Sequence, residues 1–432
     1  MAWRLEAVTP ARRTLVREVG RGMPMESDSG ALDGVRVLDF SQVMAGPYCT
    51  MLLADMGAEI IKVEPPDGDS SRRLGADQAL RRQHEGPSFW AVNRNKRGVV
   101  VNLRDPRGVA IGERLAGTAD VLVENFRPGT MERLGLGYER LRAANPGLIY
   151  ASISGYGQTG PLAHRGGFDL VAQGESGIMS VTGLPGGEPV KCGIPVCDLG
   201  AALFATYAIL CALIHRGRTG VGQRLDTSLY EAGIALSVWE ATEYFMTQQA
   251  PQPMGSAHRM TAPYQAIRCE DGYVTIGAAN QRTWERLCTA LGLDALLDRP
   301  EYASDAERVR HRSALTDTIE AVTARKPRAH WLRVLEEAEV PCGSIHTYPE
   351  VFTDPHAIAR DMLQAIDHPV AGRIRQIGPA VKCSATPARI RRAAPRLGEH
   401  TAEILAEAGY LRSEIAALAA EGVIRQCPLP ST

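Results

Sequence analysis

Short apolar runs separated by amphipathic stretches dominate the first third of the chain. Residues 35–40 (VRVLDF) read as a buried strand, and in the stretch that follows Leu52, Leu53 and Met56 recur at helical spacing before Gly57 supplies a stop. The next run, IIKVEPP, reads as a second strand. Strand, helix and strand within about 30 residues make a right-handed βαβ unit, the opening of a doubly wound sheet. Residues 97–103 (RGVVVNL), 120–123 and 148–153 (LIYASI) add three strand candidates, with helices expected over 107–117 and 138–144.

Farther on, residues 199–215 (LGAALFATYAILCALIH) predict a buried helix too short and too rich in small residues for a membrane span. Residues 216–223 form a turn and 226–247 a further helix. Residues 249–263, with three prolines and Gly255, suit a hinge or an active-site loop. Alternation over 264–277 around Asp271-Gly272 predicts a hairpin. Helices are expected at 281–292, 305–324 and 328–338, short strands and proline turns at 372–382, and a helix at 401–408. The fold class is therefore α/β. A large parallel domain is expected from residues 31–225 and 346–428, a smaller α+β domain from 226–345, and a mobile tail from 1–30.

At 432 residues the chain exceeds a single-core size, which suits two domains. The net charge of -1 gives no global attraction for nucleic acid or anionic lipid, so any anionic ligand must be met by local arginines. Nine cysteines, none spaced C-x-x-C, suggest neither a zinc site nor a disulfide framework, and a reducing, cytoplasmic setting is expected. No unbroken apolar run reaches the roughly 18 residues that span a bilayer. Five arginines before residue 22 leave an organellar presequence open, although Glu6, Glu18, Glu26 and Asp28 argue against it.

Candidate chemistry gathers in the glycine-rich stretch 154–199. Gly155-Tyr-Gly157-Gln-Thr-Gly160 follows a strand and matches the dinucleotide fingerprint literally. That fingerprint needs a helix N-terminus at its third glycine, whereas Pro161 and Gly166-Gly167 follow and no periodic helix begins before Asp169, so NAD or FAD binding is set aside. Arg72, Arg73, Arg94, Lys96, Arg97, Arg104, Arg127 and Arg133 cluster in the first half, many near strand ends. Together they suit a polyphosphate, although each taken singly is as readily a solvated surface charge. Asp198, before LGAALFATYAIL, has two readings that composition leaves open: a helix N-cap, or a nucleophilic carboxylate with glycine backbone close by.

Several long, ordered motifs go further. VLDFSQVMAGPYCTMLLADMGAEIIKVEPPDGD, VNRNKRGVVVNLRDPRG, DVLVENFRPGTMERLGLGYERL, GYGQTGP and LGEHTAEIL together resemble the class III coenzyme A transferases, which include formyl-CoA transferase and α-methylacyl-CoA racemase, over about residues 32–424. MGSAHRMTAPYQAIRCEDGYVTIGAAN is most similar to the succinate–hydroxymethylglutarate and bacterial dicarboxylate branch. The resemblance implies a Rossmann-like large domain built from both chain ends and two subunits interlocked as rings. It makes Asp198 the catalytic residue, attacking an acyl-CoA thioester to give an aspartyl anhydride and then an aspartyl thioester. Acyl-CoA and a carboxylic acid are the implied partners of a homodimer, the CoA thioester being substrate, with no permanently bound cofactor and no metal. Implied CoA-contacting positions are Met44, Ala45, Asn102, Leu103, Arg104, Asn125, Phe126, Arg127, Arg133, Gly167, Phe168 and Asp169. Met44 stands where the formyl enzyme has Gln, which implies a different acyl group.

In the racemase branch a His precedes the Asp of this motif and serves as second base. Phe168 occupies that position here, and a phenyl ring transfers no proton, so transferase is favoured over racemase. A noncatalytic acyl-CoA-binding module is the alternative of another class. Gly255 to His258 are expected to replace the formyl enzyme's glycine loop, and His258 or Arg259 to read the distal carboxylate of a dicarboxylic acid, since a buried carboxylate requires a charged or hydrogen-bonding partner.

Overall fold

The computed structural model describes residues 30–427 as a mixed α/β fold; the expected tail at 1–30 lies almost wholly outside the described residues. Six strands run parallel: β1 (Arg36–Asp39), β2 (Glu59–Glu64), β3 (Lys96–Val101), β4 (Val121–Glu124), β5 (Ile149–Ser154) and β6 (Arg224–Ser228). The two-residue strand Ile424–Arg425 pairs antiparallel with β3, so the C-terminal end of the chain closes the sheet begun by the N-terminal half. Strand order is Ile424–Arg425, β3, β2, β1, β4, β5, β6. The order reverses between β1 and β4, the switch point at which open α/β sheets receive ligands beyond their carboxyl ends. Strands β3, β4 and β5 are buried along their whole length, as parallel strands covered on both faces must be.

β6 corrects one expectation. RLDTS is mostly polar and sits at the sheet edge, so apolar periodicity misses it; the expected helix at 226–247 is instead the end of β6 followed by helices Leu229–Leu236 and Val238–Thr247. The main sheet therefore runs past the expected boundary at 225/226. A second correction concerns the helix expected at 199–215. It spans Val196–Thr219, 24 residues, and is by length and composition long and apolar enough to cross a membrane. Gly200, Ala201, Ala202, Ala205, Ile209 and Ala212 face inward, against helix Ala45–Asp55 and the sheet. Leu203, Tyr207, Leu210 and Ile214 on the other side are exposed.

A separate core gathers Trp284, Leu287, Leu315, Ile319, Trp331 and Leu335 over a three-stranded antiparallel sheet. Its strands are β7 (Tyr264–Cys269), β8 (Gly272–Gly277) and β9 (Cys342–Ser344). The hairpin falls where expected, with Glu270-Asp271 as its loop. The helix expected at 305–324 is two, Asp305–Arg310 and Arg312–Thr323, interrupted at His311. A last hairpin, β10 (Leu363–His368) with β11 (Gly372–Ile377), sits against the large sheet's flank through Trp90 and His368.

Beneath the switch point lie four fully buried charges. Lys96 Nζ bonds Asp39 Oδ2 at 3.0 Å, and Lys62 Nζ lies 3.3 Å from Asp69 Oδ2 while also donating to the Ser41 carbonyl. Burial alone would raise the Asp39 carboxyl, but Lys96 and Lys62 outweigh it and hold it at about 2. The chain just above is tied to these charges. Asp39 accepts from Ser41 N–H and Oγ, and the Val43 N–H points at both Asp69 oxygens, at 3.3 and 3.2 Å. Val43 has φ +68, a conformation a β-branched residue adopts only when its surroundings enforce it.

Removing one member of such a buried pair leaves the other uncompensated. Lys96→Met is expected to lower stability by about 3–5 kcal/mol in a urea titration. The folded Asp39 pKa lies below its ordinary value, so its contribution is present above ordinary carboxylate pH and is lost as pH falls toward about 2. A change under 1 kcal/mol would show that the pair carries no net stability.

Candidate active site

Asp198 is the third residue of helix Val196–Thr219, inside the first turn, and makes no capping bond. The cap comes from Asp169, the first residue of helix Asp169–Glu175. One oxygen, Oδ1, accepts from Cys197 N–H at 2.9 Å and from Asp198 N–H at 3.3 Å. The other, Oδ2, accepts from Gln173 Nε2 at 2.6 Å, and Gln173 Oε1 in turn accepts from Cys192 N–H at 2.8 Å. Asp169 thus satisfies the amides that begin the helix, and the Asp198 carboxyl is left for chemistry. Burial first, and the neighbouring Asp169 charge second, push the Asp198 carboxyl up to about 7. A carboxylate of that basicity is a better nucleophile than an ordinary aspartate and is about half ionised near neutral pH.

Asp198 lines a cavity of about 220 Å³ at the carboxyl ends of β1, β4 and β5, together with Gln42, Met44, Ala45, Asn125, Gly167 and Phe168. Gln42 N–H donates to Asn125 Oδ1 at 2.8 Å, and Asn125 Nδ2 donates back to the Gln42 carbonyl at 2.7 Å. This reciprocal pair closes the switch point across the two loops. Gln42 was not anticipated from the sequence; the only signal is its place after the first strand. A neighbouring cavity of about 440 Å³ opens over the ends of β1, β2 and β3 and is lined by Asn102, Leu103 and Arg104. Phe126 and Gln42 line both cavities.

Glycine is required where two segments of the rich stretch cross. A Cβ on Gly155 would stand 2.7 Å from the Gly167 Cα, and one on Gly167 would stand 2.5 Å from the Gly155 Cα. Beside the crossing, the Arg127 guanidinium packs on Gly166, where a Cβ would come within 2.8 Å of Nη2. The GYGQTG segment leads into no helix until Asp169.

The basic cluster separates into two groups. Arg72 pairs with Glu64, Arg94 with Asp55, Lys96 with Asp39, and Arg97 with Glu59, Glu403 and Glu407. These cations are consumed internally, which corrects their assignment to a polyphosphate. Arg104, Arg127 and Arg133 are exposed and make no ion pair among the described residues; Arg133 donates to Thr130 Oγ1 at 3.0 Å. Gly255, His258 and Arg259 line neither cavity. Gly255 N–H nevertheless donates to the Gly183 carbonyl at 2.8 Å, which sets their loop against the glycine-rich stretch leading to Asp198. Among the described residues no cluster of His, Cys, Asp and Glu is arranged to hold a metal ion.

The chain is 39% identical over 440 residues to the mouse (Mus musculus) succinyl-CoA:glutarate CoA-transferase, covering 99% of both chains. It is 38% identical over 398 residues to the succinyl-CoA–D-citramalate CoA-transferase of Chloroflexus aurantiacus, covering 91% of this chain and 98% of that one. A crystal structure of a CAIB/BAIF family protein from Brucella suis superposes with a TM-score of 0.78 at 37% identity, over 88% of this chain and all of that one. The α/β fold and these likenesses are those of a CoA-transferase. Within that class the chain belongs to CoA-transferase family III, whose model matches residues 32–401.

The raised Asp198 carboxyl predicts the pH dependence. kcat/KM is expected to rise along a limb centred near pH 7, as Asp198 loses its proton. Asp169→Asn keeps an oxygen for the Cys197 N–H but removes a negative charge, so the limb should move to lower pH. If the limb stayed in place, the titrating group would not be Asp198.

Proposed function

We propose that this CoA-transferase moves CoA from succinyl-CoA to a small dicarboxylic acid, with Asp198 as covalent carrier. The observation that carries the reading is the half-buried, raised carboxyl of Asp198 on the wall of the switch-point cavity. Asp198 attacks the thioester carbonyl, forming a mixed anhydride and expelling CoA thiolate. The thiolate attacks the aspartyl carbonyl of that anhydride, giving an aspartyl thioester and releasing succinate. The acceptor carboxylate then displaces the thiolate to form a second anhydride. Finally the thiolate attacks the acceptor's acyl carbonyl, yielding the new thioester and free Asp198. Each step exchanges one activated acyl group for another, so no ATP is consumed.

The nucleotide end of CoA is assigned to the larger cavity at Asn102, Leu103 and Arg104, its phosphates facing Arg104, Arg127 and Arg133. The thioester reaches Asp198 past Met44, Ala45, Asn125, Phe126, Gly167 and Phe168. Dicarboxylate acceptors are favoured because the mouse and Chloroflexus relatives are named for glutarate and D-citramalate. A second copy of the chain, interlocked with the first, is assigned to the exposed face of helix Val196–Thr219. That face adjoins an apolar cavity of about 810 Å³ lined by Met51, Leu52, Leu203, Leu210 and Ile374.

The test is chromatographic. Incubated with succinyl-CoA and glutarate, citramalate, mesaconate, formate, oxalate or carnitine, the protein should form a new CoA thioester without ATP, and with dicarboxylates foremost. Asp198→Asn should abolish turnover while leaving thermal stability at pH 8 at least as high, because the amide removes a charge whose burial is unfavourable there. A panel in which only succinyl-CoA remains would overturn the reading, and exchange of the α-proton of a 2-methylacyl-CoA would point to racemase chemistry.

A further inference from the structure

The loop before the cis bond Ala262–Pro263 gathers two arginines that make no ion pair among the described residues. Arg312, at the start of helix Arg312–Thr323, turns its guanidinium back onto this loop. Its Nη2 donates to the His258 carbonyl at 2.6 Å and, more distantly, to those of Arg259 and Thr261, both at 3.4 Å. Arg259 donates from Nη2 to the Gln252 carbonyl at 2.9 Å. In both arginines the Nε–H is buried and has no acceptor. Arg97 and Arg328 also leave Nε unbonded, but each faces a carboxylate; Arg259 and Arg312 make no ion pair among the described residues. Asp305, the nearest acid, is engaged by Thr261 Oγ1 at 2.8 Å and Ala262 N–H at 3.2 Å and leans toward Arg308. Burial first, and the Arg259 charge second, push the Arg312 guanidinium below its ordinary value, and the opposing pull of Asp305 does not make up the difference.

His258 plays another part. Its ring lies between Trp239 and Tyr264, with centroids 5.7 and 5.1 Å away, and its Nδ1 accepts from Met260 N–H at 3.2 Å. It is a post that holds the loop. The loop also abuts the approach to Asp198. A Cβ on Gly255 would touch Leu184 at 3.5 Å, and Trp239 lies in the first turn of helix Val238–Thr247, which follows Leu229–Leu236, whose Gly233 packs on Cys197.

We infer that Arg259 and Arg312 form a carboxylate subsite that takes the far end of a dicarboxylic acyl group while its near carboxyl reacts at Asp198. Two half-buried guanidinium groups whose Nε–H bonds lack acceptors present the paired donors that a planar carboxylate accepts. The subsite rests on the CoA-transfer reading and separates dicarboxylates from monocarboxylates of equal length. The succinyl donor, which carries a free carboxylate of its own, uses the same pair.

The experiment compares glutarate with pentanoate, which has the same five carbons and one carboxylate. Calorimetry on the unmodified protein needs no turnover and should detect glutarate binding and much weaker pentanoate binding. In transfer assays, Arg312→Gln and Arg259→Gln should each reduce the glutarate-over-pentanoate ratio of kcat/KM by about tenfold or more, chiefly through KM. Arg259→Gln leaves the Arg312 clamp on the loop intact, so it reads the subsite even if Arg312→Gln disturbs the fold, and Arg312→Lys should restore part of the preference. An unchanged ratio in both Gln variants would overturn the subsite while transfer itself stood. Equal binding of glutarate and pentanoate would also overturn it. Equal weakening of inhibition by free CoA would reassign the pair to phosphate. Selective glutarate binding without any transfer would instead sink the CoA-transfer reading and leave the subsite.

Discussion

Four charges sealed beneath the carboxyl ends of the first three strands set the frame in which the rest of the molecule works. Asp39, Lys62, Asp69 and Lys96 have no contact with solvent, so each is tolerable only while its partners stay in place. That obligation reaches the surface through hydrogen bonds to Ser41 and Val43. It enforces the left-handed turn at Val43, which delivers Gln42 to Asn125 and Met44 and Ala45 to the cavity wall. The floor of the site is thus as rigid as the sheet that carries it.

Opposite this floor stands Asp198, and its neighbour Asp169 does two things to it. The Asp169 carboxylate fixes the start of the helix, and its charge makes the Asp198 carboxyl harder to ionise and more basic once ionised. One residue therefore sets the position of Asp198 and adds to the effect of burial on its basicity. The same economy appears in the glycine-rich stretch, where Gly155 and Gly167 let two backbones cross and so bring Phe168 and Asp169 to the cavity.

Much of the large sheet was legible because its strands are short, apolar and buried on both faces. β6 was not, since RLDTS at the sheet edge needs no apolar run. The proposal of Asp198 as nucleophile came only through resemblance, because local sequence could not separate a cap from a reacting group. The residue that takes the cap, Asp169, lies 29 residues earlier and shares no periodicity with Asp198. The basic cluster misled for a related reason. An arginine's sequence position does not show whether a carboxylate waits on a neighbouring element, as Asp55 at the end of helix Ala45–Asp55 does for Arg94, or whether solvent does, as for Arg104. Arg312 escaped notice in the same way, lying on a helix whose break at His311 periodicity did not register.

Phe168 and Asp169 are adjacent in the chain and opposite in their freedom to change. The Phe168 backbone is extended, with φ −129, and its ring is 75% exposed, so replacement leaves the surrounding core intact. Asp169 is locked by both of its oxygens. Over evolutionary time, drift at Phe168 can exchange what the reacting carboxylate meets across the cavity while the carboxylate itself stays in register. A scaffold built this way can change what lines its cavity through single codons beside a fixed cap, without rebuilding the fold that carries it.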